Sequence, residues 1–335
     1  MKFHLKWERN LHFALNPKSV MFHGANIYIT ERVKRLSKID AISGESIWSN
    51  KITDGYGLLN FANGKIFYMS SGDGLCSFVE ETGELISQRK FHFPYMGYVK
   101  VHENIVLTGG WRGYTDLRAY DLRTGQLLWL HKMKTGELQK FSVPSFLSKD
   151  RIVTVNHSTN LIKLLDAKSG KLLNERSLPE DIHHVDAGHS YRFVGEEITF
   201  LTGRGELLKF SSKDLSQTVE SISPTSVEIN IPCFFGDEIV FRDTKDSYCL
   251  WNRAKKERVW QTPIEHNVWS DVIATKLDDE HYIIAGAQGA VKLVSTSNEV
   301  SRMNSEKRIT TPLYLSEGCL YYGTKSQIKC YEYEA

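Results

Sequence analysis

A short motif recurs along the chain at a nearly constant interval, and a constant interval restricts the fold more than any local propensity. Its clearest copies are Asp40-Ala-Ile-Ser-Gly44-Glu-Ser-Ile-Trp48 and Asp121-Leu-Arg-Thr-Gly125-Gln-Leu-Leu-Trp129. Asp166-Ala-Lys-Ser-Gly170-Lys-Leu-Leu-Asn174 carries Asn in place of Trp. Weaker copies are Glu80-Glu-Thr-Gly83-Glu-Leu-Ile and Trp251-Asn-Arg-Ala-Lys-Lys256-Glu-Arg-Val-Trp260, with degenerate turns near Ser216 and Asn298. The turns recur about every 42 residues, which is the length of four short strands and their connections.

Before each turn lie two β-branched or aromatic runs bounded by Gly, Asn or Asp, such as Ile66-Phe-Tyr-Met with Leu75-Cys-Ser-Phe and Ile152-Val-Thr-Val with Ile162-Lys-Leu-Leu. No segment sustains a 3.6-residue apolar period, so helical repeats are excluded. A strand upstream of each pair (Leu58-Leu-Asn-Phe, Ser145-Phe-Leu, Cys233-Phe-Phe) and one after each turn complete four antiparallel strands, A to D from the hub outward. Pro17, Pro144, Pro232 and Pro312 fall near the start of strand A, where a missing N–H costs least. The chain stops after Ile328-Lys-Cys-Tyr, a strand C, where another turn is due, while Trp7 precedes Trp48 by about one repeat. The expectation is an all-β, eight-bladed β-propeller occupying residues 1–335 as one domain. Its eighth blade is shared between residues 1–11 and 311–335, and closure removes exposed sheet edges.

The pattern Asp-x3-Gly-x3-Trp at the end of an apolar strand resembles the tryptophan-docking repeat of the PQQ-like, quinoprotein-type propellers, which include BamB-like outer-membrane assembly proteins. The resemblance spans essentially the whole chain and implies a Gly at positive φ in the C-to-D turn, with an aromatic ring packed on the neighbouring blade. WD-repeat propellers share the architecture, but no Trp-Asp dipeptide ends a strand C. Quinoprotein alcohol dehydrogenases use an adjacent Cys-Cys pair near the quinone, whereas no two cysteines here are neighbours. BamB-like lipoproteins carry an N-terminal lipobox cysteine, and the first cysteine here is Cys76. The resemblance therefore implies a non-enzymatic member without a cofactor.

Composition agrees with an ordinary globular chain: 335 residues, 41 % hydrophobic and 24 % charged. A net charge of +2 gives no long-range field for nucleic acid or an anionic membrane, and neither is expected as a partner. Residues 1–10 alternate polar and apolar side chains without a signal-peptide core, so a cytoplasmic location is expected. Cys76, Cys233, Cys249, Cys319 and Cys330 form no C-x-x-C pair and read as reduced apolar side chains.

Propeller topology separates two faces. The A-to-B and C-to-D turns are short and polar, as in Asn63-Gly-Lys and Lys255-Lys256-Glu, which asks only for chain reversal. The B-to-C and D-to-A loops are longer and aromatic, and six of their residues are the candidate partner-binding set: Tyr95, Trp111, Arg112, Tyr114, His184 and Trp269. The alternative for these rings is packing between blades. Gly109-Gly-Trp111-Arg112-Gly-Tyr114-Thr-Asp116 reads as a binding loop or a structural hairpin insertion. Asp181-Ile-His183-His184-Val-Asp186-Ala-Gly-His189 holds enough ligand types for zinc or manganese, but adjacent residues in an extended loop point apart, and it reads as a polar loop. Asp243 and Asp246 read as hydrogen-bonded turn carboxylates, and Lys34, Arg35 and Lys38 as a solvated basic spot. There is no G-x-S-x-G elbow, Walker loop or dinucleotide fingerprint, and no catalytic or metal residue is assigned. The function expected is a non-catalytic scaffold, monomeric outside its complex, that binds a protein: a complex subunit, a regulator or an immunity-type protein. The alternative is a small-ligand or carbohydrate binder, or an enzyme, with its site in the central funnel.

Overall fold

Strands two to five of the chain show how one repeat folds. In blade 1, β2 (Met21–His23), β3 (Asn26–Glu31), β4 (Arg35–Asp40) and β5 (Ser46–Lys51) pair in that order, antiparallel throughout. The computed structural model describes residues 2–16, 20–31, 34–53, 59–70, 74–90, 98–109, 116–132, 144–156, 159–182, 191–222, 227, 231–244, 247–263, 273–286, 290–296, 299–304 and 308–334. These residues form eight four-stranded sheets arranged as a ring of blades. The first strands of consecutive blades approach one another, as Asn60–Ala62 does with Tyr98–His102 and Cys233–Phe235 with Ala274–Lys276, which makes strand A the hub. The outer strands of blades 2 to 7 are Leu85–Arg89, Leu127–His131, Leu172–Ser177, Gln217–Ser221, Glu257–Pro263 and Glu299–Asn304.

Blade 8 closes the ring as the phase of Trp7 predicts. Its strands are Tyr314–Ser316, Cys319–Gly323, Gln327–Glu334 and, from the other end of the chain, Lys2–Asn10. The register runs from Lys2 opposite Glu334 to Asn10 opposite Gln327. Each apolar cluster unites two successive blades, and one of them joins Cys319, Tyr321, Ile328 and Cys330 of blade 8 to Ile27, Ile29 and Ile39 of blade 1. Because each blade is covered on both faces by its neighbours, the middle strands are buried on both sides and read as continuous apolar runs, such as Ile105-Val-Leu-Thr.

The repeated motif is the joint between blades. In the turn, Gly44 donates its N–H to the Asp40 carbonyl at 2.9 Å. The Asp40 carboxylate accepts the Ser43 N–H at 2.7 Å and the Ser43 hydroxyl at 2.9 Å. Asp121 with Thr124, and Asp166 with Ser169, repeat this arrangement. The glycine has φ near 75° and presents a bare Cα to the tryptophan of the preceding blade. A Cβ on Gly44, Gly83 or Gly170 would fall 2.6 Å from a ring carbon of Trp7, Trp48 or Trp129 respectively, so glycine is required both by conformation and by contact. The three indole N–H groups donate to the carbonyls of Ala41 (3.0 Å), Glu80 (3.2 Å) and Ala167 (2.9 Å). Two residues beyond each tryptophan, Arg9, Asn50 and His131 reach the carbonyl oxygen of the same glycine.

Where the motif weakens, other chemistry takes over the joint. Blade 2 has Ser87 at the tryptophan position, and Arg89 covers Gly125 with its aliphatic stem instead. Leu215 and Lys256 stand in place of glycine in blades 5 and 6, and both keep the positive φ, at 56° and 54°. Between those blades Glu220 forms a two-pronged pair with Arg253, at 2.9 Å and 2.7 Å, and also binds Lys209. The Arg253 hydrogen bonds pull the Glu220 carboxyl down to about 2.

Three outcomes test this account. Trp129→Ala lowers stability by ~3 to 5 kcal/mol in urea unfolding, as large-to-small changes at buried aromatics do. Gly170→Ala costs more than Gly195→Ala, because Gly195 shares the positive φ (60°) but has open space where Gly170 meets Trp129. Equal costs would show that the ring contact contributes nothing. Asp40, Asp121 and Asp166 are held below the ordinary carboxylate range, chiefly by hydrogen bonds from Ser43, Thr124 and Ser169. Their contribution is complete above the unfolded value of about 3.9 and is lost as pH falls through the lower native values. The triple variant Asp40→Asn, Asp121→Asn, Asp166→Asn therefore melts with a weaker pH dependence between pH 5 and about pH 2.

Candidate functional site

The two faces of the ring differ in how the chain turns. On one face, strands A and B are joined through short turns such as Gly24-Ala25, Asn63-Gly64 and Gly236-Asp237, and strands C and D through the motif turns. On the other face lie the connections from D to A (11–20, 52–59, 90–97, 132–144, 178–191, 222–232, 264–273 and 305–313) and the longest connection from B to C, 110–116. In sequence the candidate set belongs to these connections, and Tyr95, Trp111, Arg112, Tyr114, His184 and Trp269 all lie outside the described residues. The structure describes the frame from which their loops spring.

That frame is anchored. Just past strand D, Ile52, Leu178 and Ile222 are buried and donate their N–H groups to Lys34, Asn160 and Gly205 carbonyls at 3.1, 2.7 and 2.9 Å. On the return side Leu59, Tyr191, Ile231 and Leu313 are buried as well. The connections 52–59, 178–191 and 222–232 thus leave and re-enter the ring over buried apolar residues, which fixes their ends.

The foot of the 110–116 loop is equally defined. Gly109 has φ 146°, and a Cβ there would sit 3.2 Å from the Asp116 carbonyl, so glycine is needed for the chain to enter the loop. Asp116 on the far side pairs with Arg118 at 2.7 Å. Burial raises the pKa of the neighbouring Tyr120, with the Arg118 charge opposing the rise.

The remaining polar candidates have structural partners where they are described. Asp181 lies in an ion pair with Arg204, Nε to Oδ2 3.2 Å, and its own carbonyl accepts the Gly203 N–H at 2.8 Å. His183, Asp186 and His189 lie outside the described residues. Among the described residues, no group of three or more His, Cys, Asp or Glu side chains is placed to hold a metal ion. Asp243 lies on strand Glu238–Thr244 rather than in a turn, where it accepts from Gln261 at 2.7 Å; Asp246 is outside the described residues.

The basic spot is corrected in one respect. Lys38 is buried, not solvated: strand Arg35–Asp40 turns it toward blade 2, where its ammonium lies 5.7 Å from the Tyr28 ring and 3.4 Å from the Glu80 carbonyl. Alternation of side chains along the strand puts Lys38 on the face opposite Arg35, and Lys34 lies before the strand begins, a distinction that sequence proximity hides. Sequence reasoning also missed the Glu80 node, which accepts from the Tyr28 hydroxyl at 3.1 Å and lies 3.5 Å from His23. The five cysteines are free, four of them buried, and burial pushes the Cys249 and Cys330 thiols up to about 12.

With this geometry in place, the resemblance noted from the motif can be compared with known proteins. The model of the family described as outer membrane protein assembly factor BamB matches residues 34–262 and 112–331. No curated protein matches the chain significantly. Among solved structures, BamB from Moraxella catarrhalis superposes with a TM-score of 0.71 at 13 % identity, covering 100 % of this chain and 98 % of that one. Quinohemoprotein alcohol dehydrogenase from Comamonas testosteroni gives 0.67 at 10 % identity over 98 % of this chain and 76 % of that one. A europium-containing methanol dehydrogenase gives 0.66 at 12 % identity over 99 % and 93 %. At these identities the structural likeness is one of fold, and the fold serves both an assembly factor and dehydrogenases.

One prediction belongs to the frame. Gly109→Ala lowers the melting temperature, while Gly24→Ala, at a positive-φ turn with open space, lowers it less. A larger loss at Gly24 would contradict the loop-foot geometry.

Proposed function

The chain belongs to the family of outer membrane protein assembly factor BamB, and from that membership we propose that it is a non-catalytic platform for a protein partner. The partner docks on the face of the long connections, with Tyr95, Trp111, Arg112, Tyr114, His184 and Trp269 as its contact residues. The observation that carries this reading is the asymmetry of the ring: one face has only short reversals, the other has long connections, of which 52–59, 178–191 and 222–232 are anchored at both ends over buried residues. Anchored ends limit the ordering entropy lost when a loop engages a partner. Large aromatic rings on such loops supply contact area, and a guanidinium supplies directed hydrogen bonds to a partner's carboxylates.

The test is partner recovery from the native cell with the tagged protein. Trp111→Ala combined with Arg112→Ala abolishes recovery and leaves circular dichroism and melting unchanged, whereas Lys255→Ala with Lys256→Ala, on the turn face, recovers the partner normally. The reverse pattern overturns the face assignment.

A further inference from the structure

The perimeter of the ring carries a feature that the loop-face reading does not use. Seven large aliphatic side chains stand exposed at the same height on four consecutive outer strands. Ile47, Ile86, Leu128 and Leu173, each directly before the docking position, are 41 to 49 % exposed. In blades 2 to 4 the residue before them is also an exposed leucine: Leu85, Leu127 and Leu172. Such positions on an outer strand are free to be polar, so a run across neighbouring blades is an apolar patch that asks for a cover.

The backbone states how the cover is made. In each of these four blades the pairing of strands C and D shifts by one residue at this point, leaving Ile47, Ile86, Leu128 and Leu173 as bulged residues without a cross-strand partner. A bulge interrupts the regular row of N–H and C=O groups at the sheet edge, so a partner does not extend the blade as a fifth strand. It must use the side chains.

Charge states what the cover contains. Three or four residues beyond each bulge, about 10 to 13 Å along the strand, stands an exposed cation: Lys51, Lys90, Lys132 and Arg176. The lysines make no ion pair with a described residue. The outer strands of the other four blades end in Ser221, Pro263, Asn304 and Asn10. On blades 1 to 4 the aliphatic stripe and the row of cations thus coincide, whereas the described outer strands of blades 5 and 8 each carry a single exposed large aliphatic, Val219 and Leu5. Curvature decides between a membrane and a polypeptide: successive blades of an eight-membered ring turn by about 45°, so a flat bilayer meets only one or two of these four strands, while a polypeptide can follow all of them.

We propose that the perimeter of blades 1 to 4 is a second docking surface, separate from the loop face, for an acidic polypeptide segment of a partner protein rich in large aliphatic residues. Its aliphatic side chains cover the bulged residues, and its carboxylates pair with the cations three or four residues further along each strand.

The probe is a fluorescein-labelled synthetic peptide of Glu-Leu-Leu-Glu-Ser repeats, followed by fluorescence anisotropy. The wild-type protein binds it, and raised salt weakens binding. Ile86→Ser with Leu128→Ser, and separately Lys90→Glu with Lys132→Glu, each weaken binding about tenfold or more; Leu5→Ser, on blade 8, does not. All variants keep the wild-type melting temperature, since every substituted side chain is exposed. The same repeat with Lys in place of Glu does not bind. No binding by the wild type, binding indifferent to the two perimeter pairs, or preferential perimeter-dependent binding to phosphatidylglycerol vesicles overturns the proposal.

Discussion

An indole ring laid on a bare glycine Cα holds this ring of blades together. The contact has three requirements that must be met at once: a positive φ at the turn, no Cβ, and a carbonyl three residues earlier pointed at the indole N–H. The Asp and Ser or Thr of the turn meet the third by fixing the backbone between them, as Asp40 and Ser43 do before Gly44. The motif is thus a joint whose two halves lie on different blades about one repeat apart in sequence. This explains why the period is so constant: a blade of different length would misplace the tryptophan relative to the next glycine.

The architecture was legible for the same reason. Trp7, read in phase with Trp48, predicted the closing blade shared between residues 1–11 and 311–335, and within it residues 2–10 pair with 327–334. The degenerate repeats were legible as turns but not as joints. Nothing in the local sequence of Glu220 announces that it grips Arg253, because its partner stands 33 residues away in the degenerate turn of the next repeat. Arg89 covering Gly125 is a similar substitution of an aliphatic stem for a ring. Lys38 was misread because proximity to Lys34 and Arg35 in sequence says nothing about which face of a strand a side chain takes. The bulges were invisible too: Ile47 and Leu128 read as ordinary members of an apolar strand until the pairing register showed an extra residue.

Function separates from this framework. The joints, the apolar clusters between blades and the closing strand all serve the ring and leave both faces and the perimeter free for other uses. The shared fold of an assembly factor and two dehydrogenases shows how little the framework dictates. What is mounted on the framework here is a set of long connections on one face, three of them anchored at both ends, and aliphatic and basic stripes along blades 1 to 4. The candidate aromatics on the long connections were legible in sequence as composition, whereas the rim required the register.

The central claim, that indole-to-carbonyl bonds join consecutive blades, is tested most directly by hydrogen exchange at the tryptophan side chains, followed by NMR on protein labelled with nitrogen-15 indole. The account predicts that the Nε1–H signals of Trp7, Trp48 and Trp129 persist in deuterated buffer, because each is donated to the next blade at 2.9 to 3.2 Å. Exchange of these three signals at the rate of a free indole, in a protein that remains folded, would contradict it.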